Sequence, residues 1–190
     1  MGPDSSSVDV RLMVPYNVSM SRIALCGYAG VGKSTYVRKN FPDYVEIALA
    51  DPIKRALYAM GASRNSLWGP SERRNDIFLD RPIREWLILL GTTLVRKADP
   101  DHWVRTCLDV VYAVARGCPY DPAEGVDFGT WSGPWEGVVV PDVRWPNEAR
   151  MLTDCGFTLF RLERPGADPT FAGVGEGNDL SPWVSKTVVL

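Results

Sequence analysis

Residues 22–40 read RIALCGYAGVGKSTYVRKN and carry the strongest signal for the fold. They begin with a short apolar run, Arg22 to Cys26, of the kind that forms a buried strand. A glycine-rich turn follows, and Lys33 to Asn40 is predicted to be a helix that ends before Pro42. A second apolar run follows at residues 44–49. The order strand, helix, strand therefore predicts an α/β fold with a parallel sheet.

The turn between this strand and this helix matches the pattern G-x-x-x-x-G-K-[ST] at every fixed position. Glycines let the backbone bend closely around a phosphate, so that amide groups point inward at the positive end of the helix. Lys33 then places a cation on the β- and γ-phosphates, and Ser34 offers a hydroxyl to Mg²⁺. The sequence predicts a P-loop that binds ATP through Gly27, Tyr28, Ala29, Gly30, Val31, Gly32, Lys33, Ser34 and Thr35.

Composition and charge exclude several other classes. The chain has 190 residues, a formal net charge of -2 and 45% hydrophobic residues, which favours a single globular domain. Because positive charge is not in excess, neither nucleic acid nor a membrane is an expected partner. Four widely spaced cysteines and a single histidine favour reduced thiols in a cytoplasm over a zinc site. No apolar run approaches the roughly 18 residues of a membrane span.

The ends and the middle of the chain divide by composition. Residues 1–20 lack the features of a secretory signal, so we expect a flexible arm ahead of one domain at residues 21–190. Helical periodicity follows Pro52 and Pro82 and recurs after Asp101. The remaining expectations are a surface loop at 118–136, strands at 138–140, 157–162 and 183–190, and a short helix at 147–155.

A carboxylate and several cations follow the third predicted strand. Asp142 stands where P-loop proteins often keep the acid that holds Mg²⁺, so Ser34 and Asp142 form the predicted metal site. Arg144 and Arg150 follow, and their guanidinium groups could neutralise charge on a transferred phosphoryl group. The predicted catalytic residues are therefore Lys33, Asp142 and Arg144.

Other side chains are candidates for an acceptor site. Arg84 is the preferred cation for an acceptor phosphate because it comes early in a helix otherwise rich in core residues. Arg73, Arg74 and Arg96 are the remaining cation candidates. The rings of Trp68 and Trp145 flank these charged stretches and could stack on a base, with simple packing as the alternative.

Four further blocks follow the P-loop in a fixed order: ALADPIKRAL at 48–57, REWLILLGT at 84–92, DPDHWV at 99–104 and VPDVRWPNE at 140–148. Together they resemble the bacteriophage deoxynucleoside monophosphate kinases, from about residue 22 to residue 164. The resemblance implies a P-loop NTPase fold with a parallel five-stranded sheet and helices on both faces. It also implies an acceptor-binding helical segment inserted at about 51–117.

The resemblance further implies a cytoplasmic, magnesium-dependent transferase that supplies DNA precursors by phosphorylating deoxynucleoside 5′-monophosphates with ATP. It assigns roles to the P-loop, Arg84, Asp142 and Arg144. It also suggests substrate contacts for Asp51, Lys54, Trp145 and Glu148, beside the contacts of Trp68 and Arg150 suggested by their positions. The chain departs from the family where a glutamine is usual, because Ile88 stands there. A homodimer is compatible with this family.

Two alternatives stay open at this point. In the first, a P-loop kinase acts on a hydroxyl of a nucleoside or of a hydroxymethylated base in DNA, and Asp51 serves as general base. The competing role for Asp51 is to cap the helix that begins at Pro52. In the second, the chain is an ATPase module without a small-molecule acceptor. By contrast, a kinase that acts on a nucleoside monophosphate needs no general base, because the acceptor phosphate oxygen is already ionised at neutral pH.

Overall fold

The computed structural model describes residues 20–128, 135–166 and 178–190. Residues 1–19 of the predicted arm lie outside the described residues, as do residues 129–134 of the predicted loop and residues 167–177. In chain order the strands are β1 (Ser21–Cys26), β2 (Tyr44–Glu46), β3 (Ile77–Phe78), β4 (Arg81–Pro82), β5 (Tyr120–Asp121), β6 (Gly125–Val126), β7 (Gly137–Val140), β8 (Thr158–Glu163) and β9 (Val184–Val189). The helices are α1 (Lys33–Asn40), α2 (Asp51–Ala59), α3 (Arg64–Trp68), α4 (Ile83–Ile88), α5 (His102–Ala115) and α6 (Pro146–Asp154).

Five strands form one parallel sheet in the order β2-β7-β1-β8-β9. β1 occupies the centre, with Ile23 paired to Val139 of β7 and to Thr158 of β8. Since all strands are parallel, their carboxyl ends meet at one edge of the sheet. The predicted α/β class and the five-stranded parallel sheet are confirmed.

Alternating side chains of the central strands build a core on each face of the sheet. On one face, Ala24 and Val138 belong to a buried cluster with α5 and α6 residues such as Val111 and Leu152. On the other face, Leu25 and Val139 pack with α1. The period of two along β1 and β7 therefore explains why both faces are covered by helices.

A largely helical segment separates β2 from β7. It contains α2, α3, a 3-10 turn at Ser71–Asn75, the β3-β4 hairpin, α4 and α5. α4 continues directly into a π-helical stretch at Leu89–Arg96, where only a regular helix was predicted. Leu57, Leu67 and Ile83 form a small core within this segment. No helix in the described ranges is both long and apolar enough to cross a membrane.

Two local predictions are wrong. Residues 118–136 were expected to be a surface loop, but residues 120–126 form the β5-β6 hairpin with Ala123 buried at its turn. Asp51 was expected to cap α2, but Ala50 occupies the N-cap position and Asp51 is the first helical residue. The Asp51 carboxylate accepts from the Ala48 amide, which precedes the helix.

Candidate functional site

A glycine-rich loop joins the carboxyl end of β1 to the start of α1. Gly27, Gly30 and Gly32 have φ angles of 137°, 75° and 104°, a region that side chains disfavour. A Cβ atom on Gly27 would lie 2.5 Å from the carbonyl oxygen of Leu162 in β8. Val31 is buried under the loop and anchors it to the core of the α1 face. Both backbone conformation and close packing therefore require glycine in this loop.

Lys33 folds back across this loop. Its Nζ donates to the carbonyl oxygen of Gly27 at 2.6 Å and to that of Tyr28 at 2.9 Å. Ser34 and Thr35 lie exposed on the first turn of α1. The predicted ATP-binding residues thus lie at the carboxyl edge of the sheet, with the lysine ammonium held at the loop and two exposed hydroxyl residues on the first turn of α1.

Asp142 lies two residues beyond β7 and reaches toward the end of the neighbouring strand, β2. Its Oδ1 accepts from the Leu49 amide at 2.8 Å, and its Oδ2 accepts from the Ala50 amide at 3.1 Å. Each carboxylate oxygen has two lone pairs, so each retains one after these bonds. Asp142 therefore fixes the turn before α2 and can still accept a hydrogen bond from a water molecule.

The residues fit a nucleotide-bound Mg²⁺ better than a metal held by protein alone. Mg²⁺ keeps several waters and is usually bound through one or two protein oxygens plus substrate phosphates. Ser34 and Asp142 are suitable oxygen donors of this kind. Within the described residues, no group of three or more His, Cys, Asp or Glu side chains could hold a metal ion.

Asp51 lies at the centre of a buried polar cluster and is only 2% exposed. Its Oδ2 accepts from the Ala48 amide at 2.9 Å and from the Tyr120 hydroxyl at 2.8 Å. Its Oδ1 accepts from Lys54 Nζ and from Trp68 Nε1, both at 3.0 Å. Burial raises the pKa of Tyr120, and the neighbouring Asp51 charge raises it further.

Three of the predicted substrate contacts, Asp51, Lys54 and Trp68, are therefore joined to one another. The four donors around Asp51 occupy both of its oxygens, and Lys54 is buried as well. The sequence did not predict a role for Tyr120 in this cluster. Nothing in the residues around it indicates a hydrogen bond to Asp51, which lies 69 positions earlier. The cluster joins α2, α3 and the β5-β6 hairpin.

Arg74 lies near enough to Arg84, Arg144, Asp142 and Asp51 for the charges of all four to affect its pKa. Burial lowers the pKa of Arg74, and the positive charges of Arg84 and Arg144 lower it further, while the two carboxylates oppose this effect. Arg74 lies within the 3-10 turn at Ser71–Asn75, and Arg84 lies on the first turn of α4. Neither side chain has a hydrogen bond or ion pair with any described residue.

The sequence does not distinguish Arg74 from the adjacent Arg73. Arg73 is exposed and lies 3.8 Å from Asp76, whereas Arg74 is partly buried and faces Arg84. Adjacent arginines in a single turn have the same local signal, so only the packing of the turn distinguishes them.

Glu148 is 5% exposed and accepts from three donors. Its Oε2 accepts from the Arg144 amide at 2.9 Å and the Trp145 amide at 3.0 Å, and its Oε1 accepts from Arg96 Nη1 at 3.0 Å. The Arg96 guanidinium also covers the Trp145 ring, 4.1 Å from its centroid. Burial raises the pKa of Glu148 to about 7. Arg96 is thus engaged by protein groups and is not directed at an acceptor.

Arg150, the last predicted substrate contact, is exposed on α6. A cleft of about 300 Å³ opens at the carboxyl ends of β1 and β8. Its walls include Gly27, Tyr28, Arg144 and Arg161, together with residues 178–180. The cleft adjoins the glycine-rich loop and is large enough for a nucleobase.

Comparison with protein-family models and with curated proteins finds no match for this chain.

Proposed function

We propose that this protein is a cytoplasmic P-loop kinase that transfers the γ-phosphoryl group of ATP to deoxynucleoside 5′-monophosphates, as the resemblance to the bacteriophage enzymes suggests. The observation that carries the proposal is the glycine-rich loop with Lys33 held across it, together with the positive charges of Arg84 and Arg144, which lie near enough to Arg74 to lower its pKa. Two phosphate groups must approach each other in such a reaction, and several cations are needed to offset their repulsion. The glycine-rich loop after β1 would hold the donor phosphates at the same edge of the sheet.

The acceptor oxygen attacks the γ-phosphorus in line, while the bond from that phosphorus to the β,γ-bridging oxygen breaks and ADP leaves. Lys33 holds the β- and γ-phosphates once its Nζ exchanges the carbonyls of Gly27 and Tyr28 for phosphate oxygens. Arg144 offsets charge on the moving phosphoryl group, and Arg74 and Arg84 bind the acceptor phosphate. Mg²⁺, held through Ser34 and Asp142, would neutralise charge on the donor phosphates when bound.

The environment of Asp51 supports a phosphate acceptor over a hydroxyl acceptor. A general base must come within hydrogen-bond reach of the proton that it removes. Asp51 is buried, and its oxygens already accept from four protein donors. It therefore has neither the exposure nor the free oxygen that a base for an entering hydroxyl would need.

The test is a panel of acceptors with ATP and Mg²⁺: the four deoxynucleoside 5′-monophosphates, the four deoxynucleosides, and DNA containing hydroxymethylated bases. We expect transfer to one or more monophosphates and none to the other acceptors. Transfer only to hydroxyl acceptors would contradict the proposal. Phosphate release that is independent of every acceptor would instead indicate an ATPase module.

A further inference from the structure

The segment that carries Arg144 is held by a buried carboxylate. Glu148 lies in the first turn of α6, and its Oε2 accepts hydrogen bonds from the backbone amides of both Arg144 and Trp145. An arginine side chain has a fixed length, so holding its backbone in place limits the region that its guanidinium can reach. Glu148 therefore acts on Arg144 through the main chain.

Arg96 connects this segment to the helical part of the molecule. It lies at the end of the π-helical stretch, where its Nη1 donates to Glu148 and, at 3.1 Å, to the carbonyl oxygen of Pro100. Its Nη2 donates to Asn147, whose amide in turn donates to Asp101 at 2.7 Å. The same guanidinium stacks on Trp145. One buried pair thus joins α6 and the Arg144 segment to the elements that carry Arg84.

We propose that Glu148 and Arg96 are positioning residues that hold Arg144 at the transferred phosphoryl group. The pair also fixes the position of Arg144 relative to the helices proposed to bind the acceptor. This inference rests on the proposed kinase function. It replaces the direct substrate contact that the sequence suggested for Glu148.

A purely stabilising role explains this arrangement less well. Removing two charges from water costs about as much as their attraction returns, so a buried ion pair adds little net stability compared with apolar packing. Here the side chains of Arg96 and Glu148 are 12% and 6% exposed, and they join elements about 50 positions apart in the chain. Such a pair is better suited to specifying one relative position of two segments.

The test compares Glu148→Ala, Glu148→Gln and Arg96→Met, each alone and combined with Arg144→Ala. Glutamine retains an oxygen for the two amides, as in a capping box, but removes the charge that faces Arg96. Glu124→Gln, on an exposed glutamate, is the matched control. We expect Glu148→Ala to lower kcat by about 10-fold or more with smaller changes in both KM values, and Glu148→Gln to have an intermediate effect.

The double variants decide whether the effect passes through Arg144. If it does, adding Glu148→Ala to Arg144→Ala should change kcat by less than about twofold, because the positioned group is already gone. Multiplicative losses, or a normal kcat in folded Glu148→Ala, would overturn the inference.

Amide hydrogen exchange provides a measurement that does not need turnover. We expect the amides of Arg144 and Trp145 to exchange about tenfold faster or more in Arg96→Met and Glu148→Ala than in the unmodified protein. Unchanged exchange would overturn the inference even if the kinetics agreed. Should the unmodified protein transfer phosphate to no acceptor, the proposed function fails, while the exchange rates still decide whether this pair fixes the Arg144 segment.

Discussion

Asp142 accepts a 2.8 Å hydrogen bond from the amide of Leu49, a residue 93 positions earlier in the chain. The bond fixes the ends of two neighbouring strands, β7 and β2, beside the glycine-rich loop. Asp142 consequently has two roles in the proposed enzyme, since it fixes the start of α2 and is also a candidate ligand for Mg²⁺ or its water.

Asp142→Asn should raise the Mg²⁺ concentration needed for half-maximal transfer by about tenfold and lower kcat at saturating Mg²⁺. An amide carries no charge, and its NH₂ group would face one of the two backbone donors, which should also cost about 1–3 kcal/mol of stability. A Mg²⁺ titration of the rate, paired with urea unfolding, measures both effects. Asp154→Asn, on an exposed part of α6, is the control. An unchanged Mg²⁺ dependence would remove Asp142 from the metal site.

Lys33→Ala should abolish measurable transfer while the protein stays folded. The ammonium is the cation expected on the β- and γ-phosphates, and its present partners are two carbonyls of the loop. The rate of phosphate transfer and the circular dichroism spectrum are the measurements. Lys39→Ala, exposed at the end of α1, should behave like the unmodified protein. Near-normal turnover in folded Lys33→Ala would rule out this loop as the ATP site.

Arg74→Ala should raise the KM for the acceptor by about tenfold or more and change the KM for ATP by less than about threefold. The reason is that Arg74 faces Arg84 in the proposed acceptor site and has no hydrogen-bonding partner among the described residues. Arg73→Ala is a closely matched control, because that neighbour is exposed and lies near Asp76. Equal effects of the two variants would contradict the assignment of Arg74.

Asp51→Asn should lower the free energy of unfolding by about 2–4 kcal/mol, because one edge of the buried side chain would present NH₂ to two donors. The helix-capping role expected from the sequence would instead predict almost no change, since Asn caps a helix about as well as Asp. Urea unfolding measures the difference, with exposed Asp109→Asn as the reference. A change below about 0.5 kcal/mol would show that the cluster around Asp51 contributes little.

Glu148 should make stability depend on pH. Its pKa is about 7 in the folded protein and about 4.5 as a free side chain, so between these values the folded state binds more protons than the unfolded state. Its contribution to stability is therefore greatest below about pH 4.5 and declines until about pH 7, by about 3 kcal/mol in total. The charges of Arg96 and Asp142 act on it, and its own charge in turn helps to raise the pKa of the buried Cys107 thiol.

The measurement is urea unfolding of the unmodified protein and of Glu148→Gln at pH 5 and pH 8. The stability of the unmodified protein relative to the variant should be higher at pH 5 than at pH 8. A relative stability that is equal at both values, or that rises with pH, would show that the pKa of Glu148 is not raised on folding.

The sequence by itself determined the central sheet and the backbone of the loop after β1. Short apolar runs, the glycine that ends the first run and the position of Pro42 act over a few residues, so their effects can be identified without knowledge of distant contacts. The glycines at 27, 30 and 32 were predicted because they let the backbone bend closely around a phosphate, and in the structure all three have positive φ angles. Arg74 and Arg84 were also among the cations that the sequence named as candidates.

Only the tertiary structure decided what each polar side chain faces. It directed Arg74 toward Arg84 and Arg73 toward Asp76, joined Arg96 to Glu148, and brought Tyr120 to Asp51. The physical reason is that a long side chain can reach several neighbours from one backbone position, and its lowest-energy partner depends on elements packed from far along the chain. Local patterns identify which residues carry charge, whereas the packing of distant helices and hairpins determines which charges meet.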